Sequence, residues 1–266
     1  MTTAKLRPAK IRAALRRRRF ELRVPHTPYR EAPGGTVDLG TAYGGWMVPR
    51  ALIEPSWLCY CVGTGGDISF DLALIERYDV RVRAFDAVEG YVLETRANAG
   101  HEPRLTAHHA AIALADGPLL MQVSHDAQSR SVSAAGLYES ENYVELPGRT
   151  LASLMAELGD ERIDLLKLDI EGVEYDLLEE LRLSELGVKV FAVQLHHTGS
   201  VRRARHLIAQ LREDGYEPVA CRPAVKMTFV HRALLSAAPR PSALPARSRL
   251  GESAREGIKP RVTQPH

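Results

Sequence analysis

Aromatic residues make up only 6% of this 266-residue chain, and it has just three cysteines. No apolar run approaches the roughly 18 residues that a membrane helix needs, and no charged-then-apolar leader opens the chain. A membrane span and a secretory signal are therefore not expected, and the cytosol is the expected location. Three cysteines cannot build a disulfide framework. Cys59 and Cys61 lie two apart in a strand-like run, on one face but poorly aligned for a bridge, so all three read as reduced core thiols. What the chain does have is 45% hydrophobic and 26% charged residues, enough for one packed core.

The net charge of +2 hides an uneven distribution. Residues 1–23 hold nine Lys or Arg against Glu21 alone, which makes +8. Residues 233–266 hold six basic residues against Glu252 and Glu256, which makes +4 and leaves −10 on residues 24–232. An acidic body argues against a nucleic-acid-binding surface on the domain itself. The run Arg16-Arg17-Arg18-Arg19 reads as a solvated arm. From about Ala237 the chain mixes Pro, Ser, Ala, Gly and Arg without apolar periodicity. The expected organisation is a basic, disordered arm over 1–23, a single domain over 24–236 and a disordered tail over 237–266.

In the middle, strand-like runs alternate with helical patterns, which predicts a parallel sheet covered on both faces. Trp57–Val62 leads into Gly63-Thr64-Gly65-Gly66, and a helix follows in which Ile68, Leu72 and Ile75 recur at i, i+4 and i+7. Val80–Phe85 alternates and ends at Asp86, completing a βαβ unit. A helix near 88–98 leads into a strand from Leu105 through Ile112, and Asp116-Gly117 reads as a hairpin turn into Leu119–Val123. Thr150 caps a short helix that stops at Gly159, and Ile163–Leu168 is a buried strand ending at Asp169. A helix over 172–182, a strand over 188–195, a helix capped by Ser200 and a β-pair from Tyr216–Cys221 and Lys226–His231 complete the domain. About seven strands result, mostly parallel, with a terminal antiparallel pair.

In open sheets of this kind ligands bind at the carboxyl ends of the strands, and several acids converge there. Gly63, Thr64 and Gly65 form a turn whose backbone can approach a charged ligand, and Asp67 can accept from a ligand ammonium. Asp86 is placed to accept the two hydroxyls of a ribose. NAD and S-adenosylmethionine both satisfy an acid on the ribose, so the turn must discriminate. A dinucleotide loop wants a third glycine where Ile68 stands, and Asp67 would repel a pyrophosphate, so the charge pattern favours S-adenosylmethionine.

These residues carry a resemblance. Lys167-Leu168-Asp169-Ile170-Glu171-Gly172-Val173-Glu174, within IDLLKLDIEGVEYDLLEEL at 163–181, resembles the signature of the FkbM-type methyltransferases. CVGTGGDISFDLALIERY at 61–78, GGWMVP at 44–49 and Val193-Gln194-Leu195-His196-His197 are similar to further motifs of a methyltransferase-like subgroup. The subgroup more often continues with prolines where this chain has Asp86-Ala87-Val88-Glu89. The resemblance implies an S-adenosylmethionine-dependent methyltransferase with the Rossmann-like class I α/β fold, of a family associated with methylating hydroxyls on sugars or natural products. A small-molecule or glycan acceptor is the expected partner.

For transfer to a hydroxyl, the protein must align the nucleophile and remove a proton. Asp169, Glu171 and His196, all expected at strand ends facing the crevice, are the candidate bases. Glu174, at a helix start, reads as complementing the helix dipole, and Lys167 as neutralising Asp169. His196, His197 and Asp169 invite comparison with a metal site, but adjacent strand residues point to opposite sides, so no metal is expected. His108 and His109 read as core packing, and Tyr43–Met47 as either a lid or a packed cover. Ser124–Ser131 reads as either a substrate loop or an ordinary surface loop. Rival readings are a non-catalytic ligand-binding module and an NAD-dependent oxidoreductase. A nucleic-acid methyltransferase is a third, motivated only by the basic arms.

Overall fold

A computed structural model describes residues 8–123, 132–133 and 142–236. The chain runs α1 (Pro8–Arg23), β1 (Thr36–Leu39), β2 (Trp46–Pro49), β3 (Leu58–Val62), α2 (Ser69–Tyr78), β4 (Arg81–Asp86), α3 (Glu89–Ala99) and β5 (Leu105–His109). Next come β6 (Ala111–Ile112), β7 (Gly117–Val123), β8 (Val132–Ser133), β9 (Tyr143–Arg149), α4 (Leu151–Leu158), β10 (Leu165–Leu168) and α5 (Glu174–Glu180). It closes with β11 (Val190–Gln194), α6 (Val201–Glu213), β12 (Tyr216–Arg222), β13 (Lys226–His231) and α7 (Arg232–Leu235).

Seven strands form the main sheet in the order β12-β13-β11-β10-β3-β4-β5. The five from β5 to β11 are parallel, and β13 runs antiparallel to both β11 and β12, as the apolar runs and the final β-pair predict. Strand alternation sorts the core into two layers. Tyr60, Val62, Leu166, Leu168, Phe191 and Val193 face one layer, with residues of α4, α5 and α6. Cys59, Cys61, Leu165, Val190 and Ala192 face the other, with Trp46 of β2 and the apolar stripe of α2. The thiols of Cys59 and Cys61 are fully buried and free, and burial pushes both well up.

The helix ends follow local chemistry. Thr150 accepts from Ser153 N at 3.1 Å and Ser200 accepts from Arg203 N at 3.0 Å, so both expected caps form. Gly159 ends α4 in the left-handed region at φ 67.

Three expectations need correction. The expected disordered arm is helical over Pro8–Arg23, because Ala, Leu and Arg favour helix and Phe20, at 2% exposure, docks on the core with Val24. Arg205 also donates to the free carbonyl of Arg23 at 3.0 Å. Asp116-Gly117 does not close a hairpin. Leu119–Val123 belongs to a separate sheet of order β6-β9-β7-β8, in which β9 separates β6 from β7. Asp116 instead accepts from Thr150 N and Ser153 Oγ, both at 2.7 Å, so it anchors the start of α4. The single strand expected over 105–112 breaks at Ala110, whose N–H donates to Asp86 O at 3.0 Å. That break takes β6 out of the main sheet. The Ser124–Ser131 stretch and the tail at 237–266 lie outside the described residues.

Phe20 carries the docking of α1, so Phe20→Ala is expected to lower stability by about 3 kcal/mol, the scale for removing a buried aromatic ring. Urea unfolding followed by circular dichroism measures it. A loss within error of zero would mean that α1 contributes no packing.

Candidate active site

The carboxyl ends of β3, β4 and β10 meet at Gly63. Its N–H donates to Phe85 O at 2.8 Å, its φ is 74, and a Cβ there would lie 1.8 Å from the Asp169 carbonyl oxygen. Only glycine allows that approach. The loop after it is held by Asp86, which is 7% exposed and lines the cavity. Asp86 Oδ2 accepts from Gly65 N at 2.9 Å and from Thr64 Oγ1 at 3.2 Å, and Oδ1 accepts from Val88 N at 2.9 Å. Of four lone-pair positions on the carboxylate, three are thus engaged. Asp86 reaches the expected place, but with room for one ligand hydroxyl rather than two.

Asp67 also lines the cavity. Its carboxylate accepts from Thr41 Oγ1 at 2.6 Å and from Ser69 N at 3.0 Å, with Gly44 packed so closely over it that a Cβ would lie 2.4 Å from Asp67 Cγ. Burial pushes its pKa up, but hydrogen bonds from Ser69 and Thr41 outweigh burial and hold it below the ordinary aspartate value of 3.8. Asp67 is therefore an anion at neutral pH, as the charge argument against a pyrophosphate requires.

The turn after β10 places Asp169 and Glu171 in the cavity wall, with Glu171 in the left-handed region at φ 52 and Gly172 at φ 101. His196, just past β11, lies behind them and is 8% exposed. Its Nε2 lies 3.7 Å from Asp169 Oδ1 and 3.5 Å from Glu171 Oε2. The fully buried Glu174 accepts from the His196 backbone N at 2.6 Å through Oε1, which also lies 3.1 Å from His196 Nδ1. Its other oxygen accepts from Gly172 N at 2.8 Å. Burial lowers the imidazole pKa, but the Glu174 contact, then Asp169 and Glu171, outweigh burial and raise it from 6.5 to about 9.

The three expected catalytic residues thus come together, but His196 does not itself line the cavity, against expectation. Glu174 is more than a dipole partner, since it ties His196 to the turn that carries Glu171. Lys167 does not neutralise Asp169. Its ammonium donates to Val62 O at 3.0 Å and to Gly63 O. Besides His196, the cation near Asp169 is Lys226, at 4.0 Å, from the start of β13.

The remaining candidates sort by contact. His108 stacks on Phe85 at 5.3 Å, and His109 pairs with Ala87 O at 2.9 Å; neither lines the cavity. Trp46 is 1% exposed while Tyr43 is 79% exposed at the mouth, so this stretch is a packed cover with one exposed ring. Among the described residues no cluster of three or more His, Cys, Asp or Glu side chains is arranged to hold a metal ion.

Because the folded-state pKa of His196 is raised, its contribution to stability is fully present below about pH 6.5 and is lost as pH rises through about 9. Unfolding free energies measured across that window should decline in the wild type and decline less in His196→Gln. Equal slopes for the two proteins would remove the charged imidazole from the folded state.

The cavity between these elements has a volume of about 550 Å³ and is closed beyond Asp86 by Val88, Tyr91, Ala110, Ala111 and Ile112. No helix among the described residues is long and apolar enough to cross a membrane. No curated protein matches the chain significantly. Among solved structures, the chain is similar to M. capricolum TrmK, solved in complex with its natural cofactor product S-adenosylhomocysteine, at 10% identity and a TM-score of 0.40. That match covers 68% of this chain and 65% of TrmK, just under two thirds of its length. The fibrillarin pre-rRNA processing protein of Methanococcus jannaschii matches at 10% identity and a TM-score of 0.42, over 69% of this chain and 73% of that one. Both likenesses are distant, and the assignment rests on a family model. The methyltransferase FkbM domain matches residues 75–218, more than half of the chain, from α2 to β12 and across Asp86, Asp169, Glu171, Glu174 and His196. The chain belongs to the FkbM methyltransferase family.

Proposed function

We propose that this chain methylates a hydroxyl group of a small-molecule or glycan acceptor, such as a sugar or natural product, with S-adenosylmethionine bound against the Gly63–Asp67 loop. The observation that carries this reading is the pairing, in one cavity, of a glycine loop bearing the anionic Asp67 with the two carboxylates Asp169 and Glu171.

The residues present fit such a cofactor. A Cβ at Gly65 would meet nothing within 4 Å, so the loop backbone faces open space there. Asp67 suits the methionyl ammonium and Asp86 keeps one lone-pair position for a ribose hydroxyl. Val88, Tyr91, Ala110, Ala111 and Ile112 give a flat ring an apolar place. When bound, the cofactor supplies a methyl on a positively charged sulfur, already activated toward a nucleophile.

The chain's own work is then alignment and proton removal. Asp169 at the cavity wall takes the hydroxyl proton as the acceptor oxygen bonds to the methyl carbon and the sulfur–carbon bond breaks. His196, held on Glu174 and positively charged at neutral pH, sits behind Asp169 and Glu171 and fixes both. It acts as a positioning residue, and Glu171 stands as the second carboxylate at the acceptor.

Three measurements test this reading. Calorimetry should show S-adenosylhomocysteine binding and NAD not binding; the reverse would favour an oxidoreductase. Asp86→Ala frees the amides of Gly65 and Val88 and should weaken S-adenosylhomocysteine binding by about 1–3 kcal/mol. Asp169→Asn keeps the shape and removes the charge, so single-turnover transfer at saturating cofactor should slow by about 10²–10⁴-fold with little change in melting temperature. A variant that melts lower yet transfers at the wild-type rate would make Asp169 structural.

A further inference from the structure

One wall of the cavity is built differently from the rest of the site. It is formed by the turn between β12 and β13, and it presents Arg222 and Lys226, with Arg17 of α1 at the rim. Arg222 and Lys226 are largely buried, with side chains only 15% and 11% exposed. Buried cations need compensation, and little is present here. The nearest carboxylate to Lys226 is Asp169, at 4.0 Å, and Asp169 already faces His196. Among the described residues Arg222 meets the half-exposed Asp38, at 3.4 Å, and the carbonyl of Thr41.

The backbone holds these cations in place at some strain. Ala224 and Val225, between Arg222 and Lys226, both lie in the left-handed region, at φ 62 and φ 57, where side chains other than glycine are disfavoured. Gly45 gives the Arg222 guanidinium its seat, since a Cβ there would come within 2.5 Å of Nη1. Lys226 Nζ donates to Tyr43 O at 2.8 Å and lies 4.8 Å from the Trp46 ring centroid, so its position is also fixed. Burial is the main cause that holds the Lys226 ammonium below its ordinary value, with Lys167 and Arg222 adding to it and the carboxylates Asp169 and Asp67 opposing it.

We propose that Arg222 and Lys226, with Arg17 at the rim, form an anion subsite, and that the acceptor is a hydroxyl compound carrying a carboxylate or a phosphate monoester. This deepens the reading of the same cavity given above and rests on it. Bound there, the anion neutralises the cationic wall and is anchored by charge-assisted hydrogen bonds, while the hydroxyl to be methylated lies toward Asp169. A neutral sugar would leave two largely buried cations without that partner.

The test uses the full chain saturated with S-adenosylhomocysteine and titrated in a calorimeter with glucuronate, glucose 6-phosphate and glucose as three matched arms. At least one anionic sugar is expected to bind about 10-fold more tightly than glucose, and the tighter of the two identifies the carboxylate or phosphate source. Lys226→Met and Arg222→Gln should each weaken the anionic arm by about 10-fold while S-adenosylhomocysteine affinity stays within about twofold. Inorganic phosphate should compete with the anionic sugar, less so at high salt. Equal binding of all three sugars, no anion binding at about 10 mM, or variants that bind the anion like wild type would each overturn the proposal. The wild-type arms decide the matter even where one variant fails to fold. Failure of S-adenosylhomocysteine itself to bind would count against the methyltransferase site instead, and the anion arms repeated without it separate the two outcomes.

Discussion

Glu174 is a carboxylate with no solvent exposure at all, and a buried charge persists only if its oxygens are satisfied. One oxygen takes the Gly172 amide, and the other takes the backbone amide of His196 and lies within reach of its ring. These contacts join the turn after β10 to the end of β11, two neighbouring strands of the sheet. Without them the left-handed turn at Glu171 and Gly172 would have no fixed relation to His196. Removing the carboxylate would also leave two amides unpaired in the interior, a loss that falls on the site as much as on the fold.

The second constraint is the contact between Gly63 and the Asp169 carbonyl, across the pair β3 and β10. It brings the glycine loop and the proposed base to within one backbone thickness of each other. Lys167 reinforces that contact from beneath, donating to the carbonyls of Val62 and Gly63. The buried Asp71 faces Lys167. Burial pushes its carboxyl up to about 6 while the Lys167 charge opposes the rise. The site is thus braced at the strand ends, where geometry matters for methyl transfer, and Tyr43 and Arg17 also contribute to its lining.

Local signals carried most of the sheet. Apolar runs such as Ile163–Leu168 end in a glycine or an acid, and the strand ends that line the cavity follow directly. Asp67, Asp86, Asp169 and Glu171 all reach it. What sequence spacing could not reveal is non-local. Glu174 resembles any acid at a helix start until β11 brings His196 to it from 22 residues away. Strand β9 exposes alternate residues and contains Pro147 and Gly148, so it offers no apolar run to recognise. Lys226 looks like an ordinary charge at the start of an edge-forming pair, and only its burial beside Trp46 and Arg222 gives it another meaning.

Helix α1 shows how a charge tally can point the wrong way. Its basic run Arg16–Arg19 reads as solvated, and residues 14–19 are in fact exposed. Yet Phe20 and Val24 pin the end of the helix to the core, and that docking brings Arg17 to the rim of the cavity. Positive charge lies there and at Arg222 and Lys226 on the turn between β12 and β13. The anionic groups Asp67 and Asp86 lie on the loop side, and Asp169 and Glu171 between. The cavity thus carries charges of both signs, so a ligand bearing groups of both signs suits it best. In the proposed reading the methionyl ammonium of the cofactor meets Asp67. In the same reading an anionic group on the acceptor meets Arg222 and Lys226, which would orient the acceptor before any chemistry begins.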